Sequence, residues 1–238
     1  MFAPAILDQL DKDGNFDAAK KAIQHLYALY PDDYQVNFAY GCFFIKEEKF
    51  INAIFYFEQA VKIFPYFTEA YYNLAGLYKQ EAKIAKCVEN LKEVIAIDGK
   101  NGEFGKSAQQ DLDELERAVK KFNGLSLHEC VQSNKLFDQA FAYLKEKKHE
   151  EAIEYFNMVI EIDPQHVQSY GNIALAYSAL GKNKIALECL DKALAIDPTY
   201  RPALLNRITI AGLAEDEKTG GINCEVDYYK SGMKKTFI

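Results

Sequence analysis

Apolar residues in this chain fall at helical spacing in short blocks, separated by brief polar runs. Between residues 133 and 198 the blocks come in pairs. Leu136, Ala140 and Tyr143 mark one amphipathic helix, Lys145-Glu146-Lys147-Lys148 a polar turn, and Ala152, Phe156 and Val159 a second helix. The pattern then repeats 34 residues later. Ala174 and Tyr177 precede the turn Gly181-Lys182-Asn183, and Ala186, Leu190 and Ala193 follow it. Pro164 and Pro198 end the second helices, because proline lacks the N–H and disfavours helical geometry in the residue before it. The alanines let two helix axes approach, and the aromatic residues fill the space around them. One such pair cannot bury its apolar face alone, so the units must stack.

The same register extends towards the N-terminus. Residues 34–67 place Gly41, Phe44, Ala53, Phe57, Ala60 and Pro65 at the marked positions, and residues 68–101 place Ala75, Tyr78, Cys87, Leu91, Val94 and Gly99. Residues 1–33 fit more loosely, through Leu7, Leu10, Ala19, Ile23, Leu26 and Pro31, with Asp13-Gly14-Asn15 as the turn. The helix stops are separated by 34, 34, 65 and 34 residues. The long gap holds a predicted helix over 103–122 with Ala108, Leu112, Leu115, Val119 and Phe122 on one stripe. Asn123-Gly124 stops it, and Ser126 with Glu129 forms a capping box for the next helix. This helix either caps a first array or belongs to one worn repeat in a continuous stack. A last helix spans 201–213, with Leu204 and Ile208 at buried positions and no second helix after it.

Several positions agreeing at once, at a fixed 34-residue period, resemble the tetratricopeptide repeat family. The resemblance implies an all-α fold, a right-handed superhelical solenoid of helix-turn-helix repeats. The organisation expected is an N-terminal array over 1–122 (about three repeats plus a capping helix), a C-terminal array over 126–213 (two repeats plus a capping helix) and a partly disordered tail over 214–238. Within the tail, 215–221 reads as a linker and Ile222–Tyr229 as a short-strand candidate.

In such arrays the first helices line a concave surface that holds partner segments. Register carries this role to Asn73, Asn172 and Asn206, which share one position, and to Phe38, Tyr72, Phe137, Phe141, Leu175 and Leu205. An amide both donates to and accepts from a peptide backbone, and an apolar groove suits an amphipathic helix or an extended apolar segment. The alternatives are helix-surface asparagines bonded to water or a neighbouring helix, and a groove already covered by helix 103–122 or by the tail. Relatives that clamp the carboxylate terminus of heat-shock chaperones use lysine and arginine on consecutive first helices. Here Phe38, Cys42, Phe137, Phe141, Pro202 and Asn206 stand at the other clamp positions, so a carboxylate clamp is not expected. The function implied is a protein-protein interaction module. The alternative is a chaperone for a secreted or aggregation-prone client, in the manner of bacterial secretion chaperones built from these repeats.

Composition narrows the classes further. The net charge is −7, and neither half is basic, which argues against a nucleic-acid footprint. The five cysteines are isolated and odd in number, which reads as free thiols in a reducing compartment. The start has no basic region before its apolar residues, and no apolar run reaches membrane-spanning length. A cytoplasmic location without membrane insertion is expected. The four histidines have no partners at metal or triad spacing. No enzyme activity, metal or cofactor is expected, and the partner is another protein.

Overall fold

The structure is a computed structural model that describes residues 16–218. Leu7, Leu10, the Asp13-Gly14-Asn15 turn, Cys224 and the strand candidate Ile222–Tyr229 lie outside the described residues. The elements are α1 (Phe16–Leu29), α2 (Tyr34–Lys46), α3 (Phe50–Ile63), α4 (Thr68–Gln80), α5 (Ile84–Asp98) and α6 (Glu103–Asn123). They continue with α7 (Leu127–Lys145), α8 (His149–Ile162), α9 (Val167–Ala179), α10 (Asn183–Ile196) and α11 (Arg201–Ala211). No strand occurs among the described residues. The chain forms two compact units, Met1–Glu114 and Leu115–Ile238, with the division falling inside α6.

Within the first unit α2 pairs with α3 and α4 with α5, and α1 and α2 and α3 and α4 meet in turn. Within the second, α7 pairs with α8 and α9 with α10, while α8 packs on α9 and α10 on α11. The residues that define the period are the ones that make these contacts. Ala53, Phe57, Ala60, Cys87, Leu91, Val94, Ala152, Phe156, Val159, Ala186, Leu190 and Ala193 are all buried. The first unit adds an aromatic cluster. Tyr40 lies 5.4 Å from Tyr27, 5.0 Å from Phe44 and 4.5 Å from Tyr56, tying α1, α2 and α3 together.

The turn between the two helices of each repeat has one construction. Its left-handed residue is Glu48, Ala82, Lys147 or Gly181, spaced by the repeat, and only the last is a glycine. The next residue, always lysine, donates its backbone N–H to the carbonyl of the aromatic five positions earlier. The pairs are Lys49 to Phe44, Lys83 to Tyr78, Lys148 to Tyr143 and Lys182 to Tyr177, at 2.8–2.9 Å. This is the six-to-one bond of a Schellman stop. In three repeats the same lysine holds its ammonium over that aromatic ring, at 5.7–5.9 Å from the centroid, a cation–π contact.

Helix starts are more varied. Asp33 caps α2 by accepting from the N–H groups of Gln35 and Val36 at 2.8 and 3.0 Å. The expected capping box forms at α7. Ser126 Oγ accepts from the Glu129 N–H, and the Glu129 carboxylate accepts from the Ser126 N–H at 2.8 Å. Gly99, at φ 73°, ends α5 where the other repeats use proline or an aspartate before it.

Two sequence expectations change in the folded chain. On α6, Ala108, Leu115 and Val119 are buried as the stripe requires, yet Phe122 is 59% exposed. The helix ends one residue later, so Phe122 has no following turn to pack beneath. On α11, Leu204 and Ile208 were expected inside but are exposed, Ile208 at 75%. The buried stripe is Ala203, Asn206 and Ile210 instead. In complete repeats the Ile208 position packs against the repeat's own second helix. Among the described residues α11 has none, so only its side facing the preceding repeat is covered.

The residues just beyond α11 are also held, in contrast to the linker expected there. Asn183 is buried, and its amide donates to the carbonyls of Ala214 at 2.6 Å and Glu217 at 2.8 Å while accepting from Ser178 Oγ at 2.7 Å. The Asp216 N–H donates to the Gly181 carbonyl at 2.9 Å, and Glu215 Oε2 accepts from the Lys184 N–H at 3.0 Å. A Cβ at Gly181 would lie 3.0 Å from the Asp216 carbonyl oxygen, so glycine serves both the left-handed turn and this close approach.

Candidate peptide-binding face

The three asparagines that share a register position behave differently. Asn73 Nδ2 donates to the Glu69 carbonyl one turn back, at 2.8 Å, so its amide is engaged with its own helix. Asn172 on α9 and Asn206 on α11 are each only 7% exposed. Neither side chain has a hydrogen-bond partner among the described residues, and the amide atoms are open to solvent rather than fully buried. The two sit on helices that contact one another in the second unit.

The apolar set also divides. Phe38 is half-buried, with its ring 5.4 Å from Phe57 and 4.7 Å from Phe67. Tyr72 is covered by α6: its hydroxyl donates to Asp111 Oδ2 at 3.0 Å, and its ring lies 5.7 Å from Phe104. Lys79 reaches Glu114 of the same helix at 3.7 Å. α6 therefore occupies the inner side of the third repeat. Phe137 and Leu175 belong to the buried core of the second unit, where Phe137 packs 5.4 Å from Phe156. Phe141 is half-buried, stacked on Phe137 at 6.3 Å, with the Lys145 ammonium 4.7 Å from its ring centroid. Leu205 is 53% exposed. The second unit thus brings Asn172, Asn206, Phe141 and Leu205 onto its first helices as partly accessible groups.

His166 completes this region. It stands before α9, with its ring 5.0 Å from Phe137 and its Nδ1 2.9 Å from Ser169 Oγ. Burial pushes its pKa below the usual 6.5, against the pull of the Asp163 carboxylate. The unfolded chain therefore binds a proton that the folded one resists. Stability is fully present above about pH 6.5 and falls as the pH drops below it. Urea unfolding at pH 7.5 and 5.5 should show a loss for the wild type that is smaller for His166→Gln. Equal losses in both proteins would remove His166 from this role.

The described thiols are chemically quiet. Burial pushes Cys42 and Cys87 up to about 12, and it raises Cys130 and Cys189 as well. Such thiols stay protonated and are poor nucleophiles. No group of three or more His, Cys, Asp or Glu among the described residues is placed to hold a metal ion. No helix among them is long and apolar enough to cross a membrane.

Sequence reasoning missed two buried amides. Asn37, fully buried, donates to the carbonyls of Pro31 at 2.7 Å and Asp33 at 2.9 Å, holding the corner before α2. Asn183 holds the segment beyond α11. Phe50, Ile84 and His149 occupy the position of Asn183 in the other repeats, so its departure from the others was the available signal.

Paired helices, a shared turn and a 34-residue period define a helical-repeat protein whose first helices share one face. Models of the tetratricopeptide repeat match residues 34–67, 68–101 and 132–199, together more than half of the chain. The chain belongs to the tetratricopeptide repeat family, whose repeats build protein-protein interaction modules. A wheat (Triticum aestivum) Hsp70-Hsp90 organizing protein is 26% identical over 164 residues, covering 67% of this chain and 27% of that protein. The mitochondrial import receptor subunit TOM70 of Saccharomyces cerevisiae is 33% identical over 72 residues, 30% of this chain and 12% of its own length. The chain therefore spans about a quarter or less of these two relatives. Among solved structures, the TPR domain of P58(IPK) aligns over 89% of this chain and 65% of its own, with 16% identity and a TM-score of 0.43.

Proposed function

We propose that this chain is an interaction module that holds an extended peptide or an amphipathic helix of a partner protein across the first helices α7, α9 and α11. The observation that carries this reading is the pair Asn172 and Asn206. Both lie on successive first helices, each 7% exposed, with amide atoms that reach solvent and no hydrogen-bond partner among the described residues. A peptide backbone would satisfy each amide with one donor and one acceptor. Phe141 and Leu205 would supply apolar contact beside them. Asn73, Phe38, Tyr72, Phe137 and Leu175 complete the register set. In that set Tyr72 shares its space with α6, and Phe137 and Leu175 act as the floor beneath the exposed groups.

The wheat relative's name associates it with heat-shock chaperones, which makes a chaperone tail one occupant to consider. A clamp for a terminal carboxylate needs cations, and the matching positions here carry Phe38, Cys42, Phe137, Phe141 and Pro202. A neutral backbone-reading face fits these residues better than a carboxylate clamp.

The test is peptide selection on the purified protein, followed by titration of the best binder against the wild type and the Asn172→Ala/Phe141→Ala variant. Losing the amide bonds and the ring should weaken binding at least tenfold, equivalent to about 1.4 kcal/mol. Helicity and melting temperature should stay close to those of the wild type. Unchanged affinity in a folded variant would move the binding face elsewhere.

A further inference from the structure

The first helix α4 differs from α2, α7 and α9 at two inner positions. Tyr72 stands where they carry Phe38, Phe137 and Gly171, and Lys79 where they carry Ile45, Leu144 and Ser178. Tyr72, Gly76 and Lys79 are spaced by four and three residues, so they share one side of α4. Both polar groups hold a carboxylate of α6. The Tyr72 hydroxyl donates to Asp111 Oδ2 at 3.0 Å, and the Lys79 ammonium lies 3.7 Å from Glu114 Oε2. Phe104 sets its ring edge against Tyr72, and Ala108 is wholly buried. Phe104, Ala108, Asp111 and Glu114 follow one another at intervals of four, three and three, which makes them one stripe along α6.

The polar end of this hold is shallow. The Glu114 side chain is 64% exposed, and an exposed ion pair contributes little. Gly76, between the two contacts, is itself exposed, and a Cβ there would meet no atom within 4 Å. Phe141 and Leu175 stand at that position on α7 and α9. α6 therefore bridges Tyr72 and Lys79 without filling the face between them. Its first turn is fixed separately, by the Gly105 N–H on Asp98 Oδ2 at 2.9 Å, so α6 stays tethered beside the face when its acids let go.

We propose that the Tyr72–Gly76–Lys79 face of α4 binds an amphipathic helix of a partner protein, and that α6 is the resident occupant which this helix displaces. The partner helix carries an aromatic residue, a small residue and two acidic residues at intervals of four, three and three. Its chemistry is read from the helix seated there, whose acids meet a hydroxyl and an opposite charge. The site uses α4 of the first unit, so it is independent of the reading on α7, α9 and α11.

The probe is a labelled peptide of residues 103–123 of this chain, titrated into full-length proteins. In the wild type the tethered helix competes at high effective concentration. In Asp111→Lys/Glu114→Lys that helix loses both polar contacts, so the peptide should bind at least about tenfold more tightly than to the wild type. Adding Tyr72→Phe/Lys79→Ala should remove the gain. Adding Asn172→Ala/Phe141→Ala instead should leave it intact, which separates this site from the face on the second unit. No gain in the released variant would overturn the proposal, as would a gain that survives Tyr72→Phe/Lys79→Ala. Hydrogen exchange without peptide gives a second reading should the released variant lose its fold. Lys79→Glu should speed the amides of 108–114 at least about threefold, and Lys79→Glu/Glu114→Lys should restore the wild-type rate. Rates indifferent to Lys79→Glu would count against the proposal as fully. Peptide binding that appears only as a wild-type dimer dissociates would overturn it in favour of α6 exchanged between two copies.

Discussion

Phe156→Ala should cost about 3–5 kcal/mol, the range for removing a fully buried aromatic side chain. Phe156 is wholly buried on α8, edge-on to Phe137 at 5.4 Å, among Ala140, Ala152 and Val159. The alanines around it are already small and cannot grow into the space, so most of the cavity should persist. Contacts in a repeat array are made with neighbours, so the damage should begin locally. Hydrogen exchange is expected to show α7–α10 losing protection while α2–α5 keep theirs. Urea unfolding of the variant gives the total. A loss below about 1 kcal/mol would mean that the repeat closes over the gap, and the assignment of Phe156 as its central packing residue would fail.

Gly41→Ala should also destabilise, although alanine is the better helix former by about 1 kcal/mol. A Cβ at position 41 would stand 2.6–2.9 Å from three carbons of the Phe57 ring. That ring is wholly buried and 5.4 Å from Phe38, so it has little room to turn. Overpacking of this kind costs about 1–3 kcal/mol, which outweighs the propensity gain. The third and fifth repeats combine alanine with leucine at these positions, as Ala75 with Leu91 and Ala174 with Leu190. The double variant Gly41→Ala/Phe57→Leu should therefore recover most of the loss, a non-additivity that thermal melts of the four proteins would reveal. The fourth repeat pairs Ala140 with Phe156, both wholly buried, so alanine and phenylalanine do coexist in one repeat of this chain. At Gly41 the Phe57 ring of α3 occupies the space that a Cβ would need. An unchanged melting temperature for Gly41→Ala would show that these helices separate freely.

The same contrast separates interactions that the period specifies from those it leaves open. Residues repeated at the period, such as Ala53, Leu91, Val159 and Ala193, are buried in the structure. The Ser126–Glu129 capping box also forms as its spacing requires. These features depend on residues close in sequence or one unit away, and they recur whichever repeat is considered. The Schellman turns with their lysines recur at the period too. The polar character of those runs was legible, but the left-handed residue was not, because three of the four are not glycine.

The candidate face was legible only as a register. The sequence placed Asn73, Asn172 and Asn206 at one position, and the folded chain distinguishes them. Asn73 turns to its own helix, while Asn172 and Asn206 keep amide atoms open to solvent with no partner among the described residues. Tyr72 was an open groove aromatic by register, and it lies beneath Asp111 and Phe104 of α6.

The amino-acid sequence by itself determined the repeat, its helices and the residues that fill each pair, because a 34-residue period encodes contacts between a unit and its neighbour. Tertiary structure decided which faces are covered. α6 shields Tyr72, Asn183 holds the chain beyond α11, and Ile208 stays exposed because no second helix covers it among the described residues. Coverage of a face depends on an element from outside the repeat, and the period carries no information about such an element.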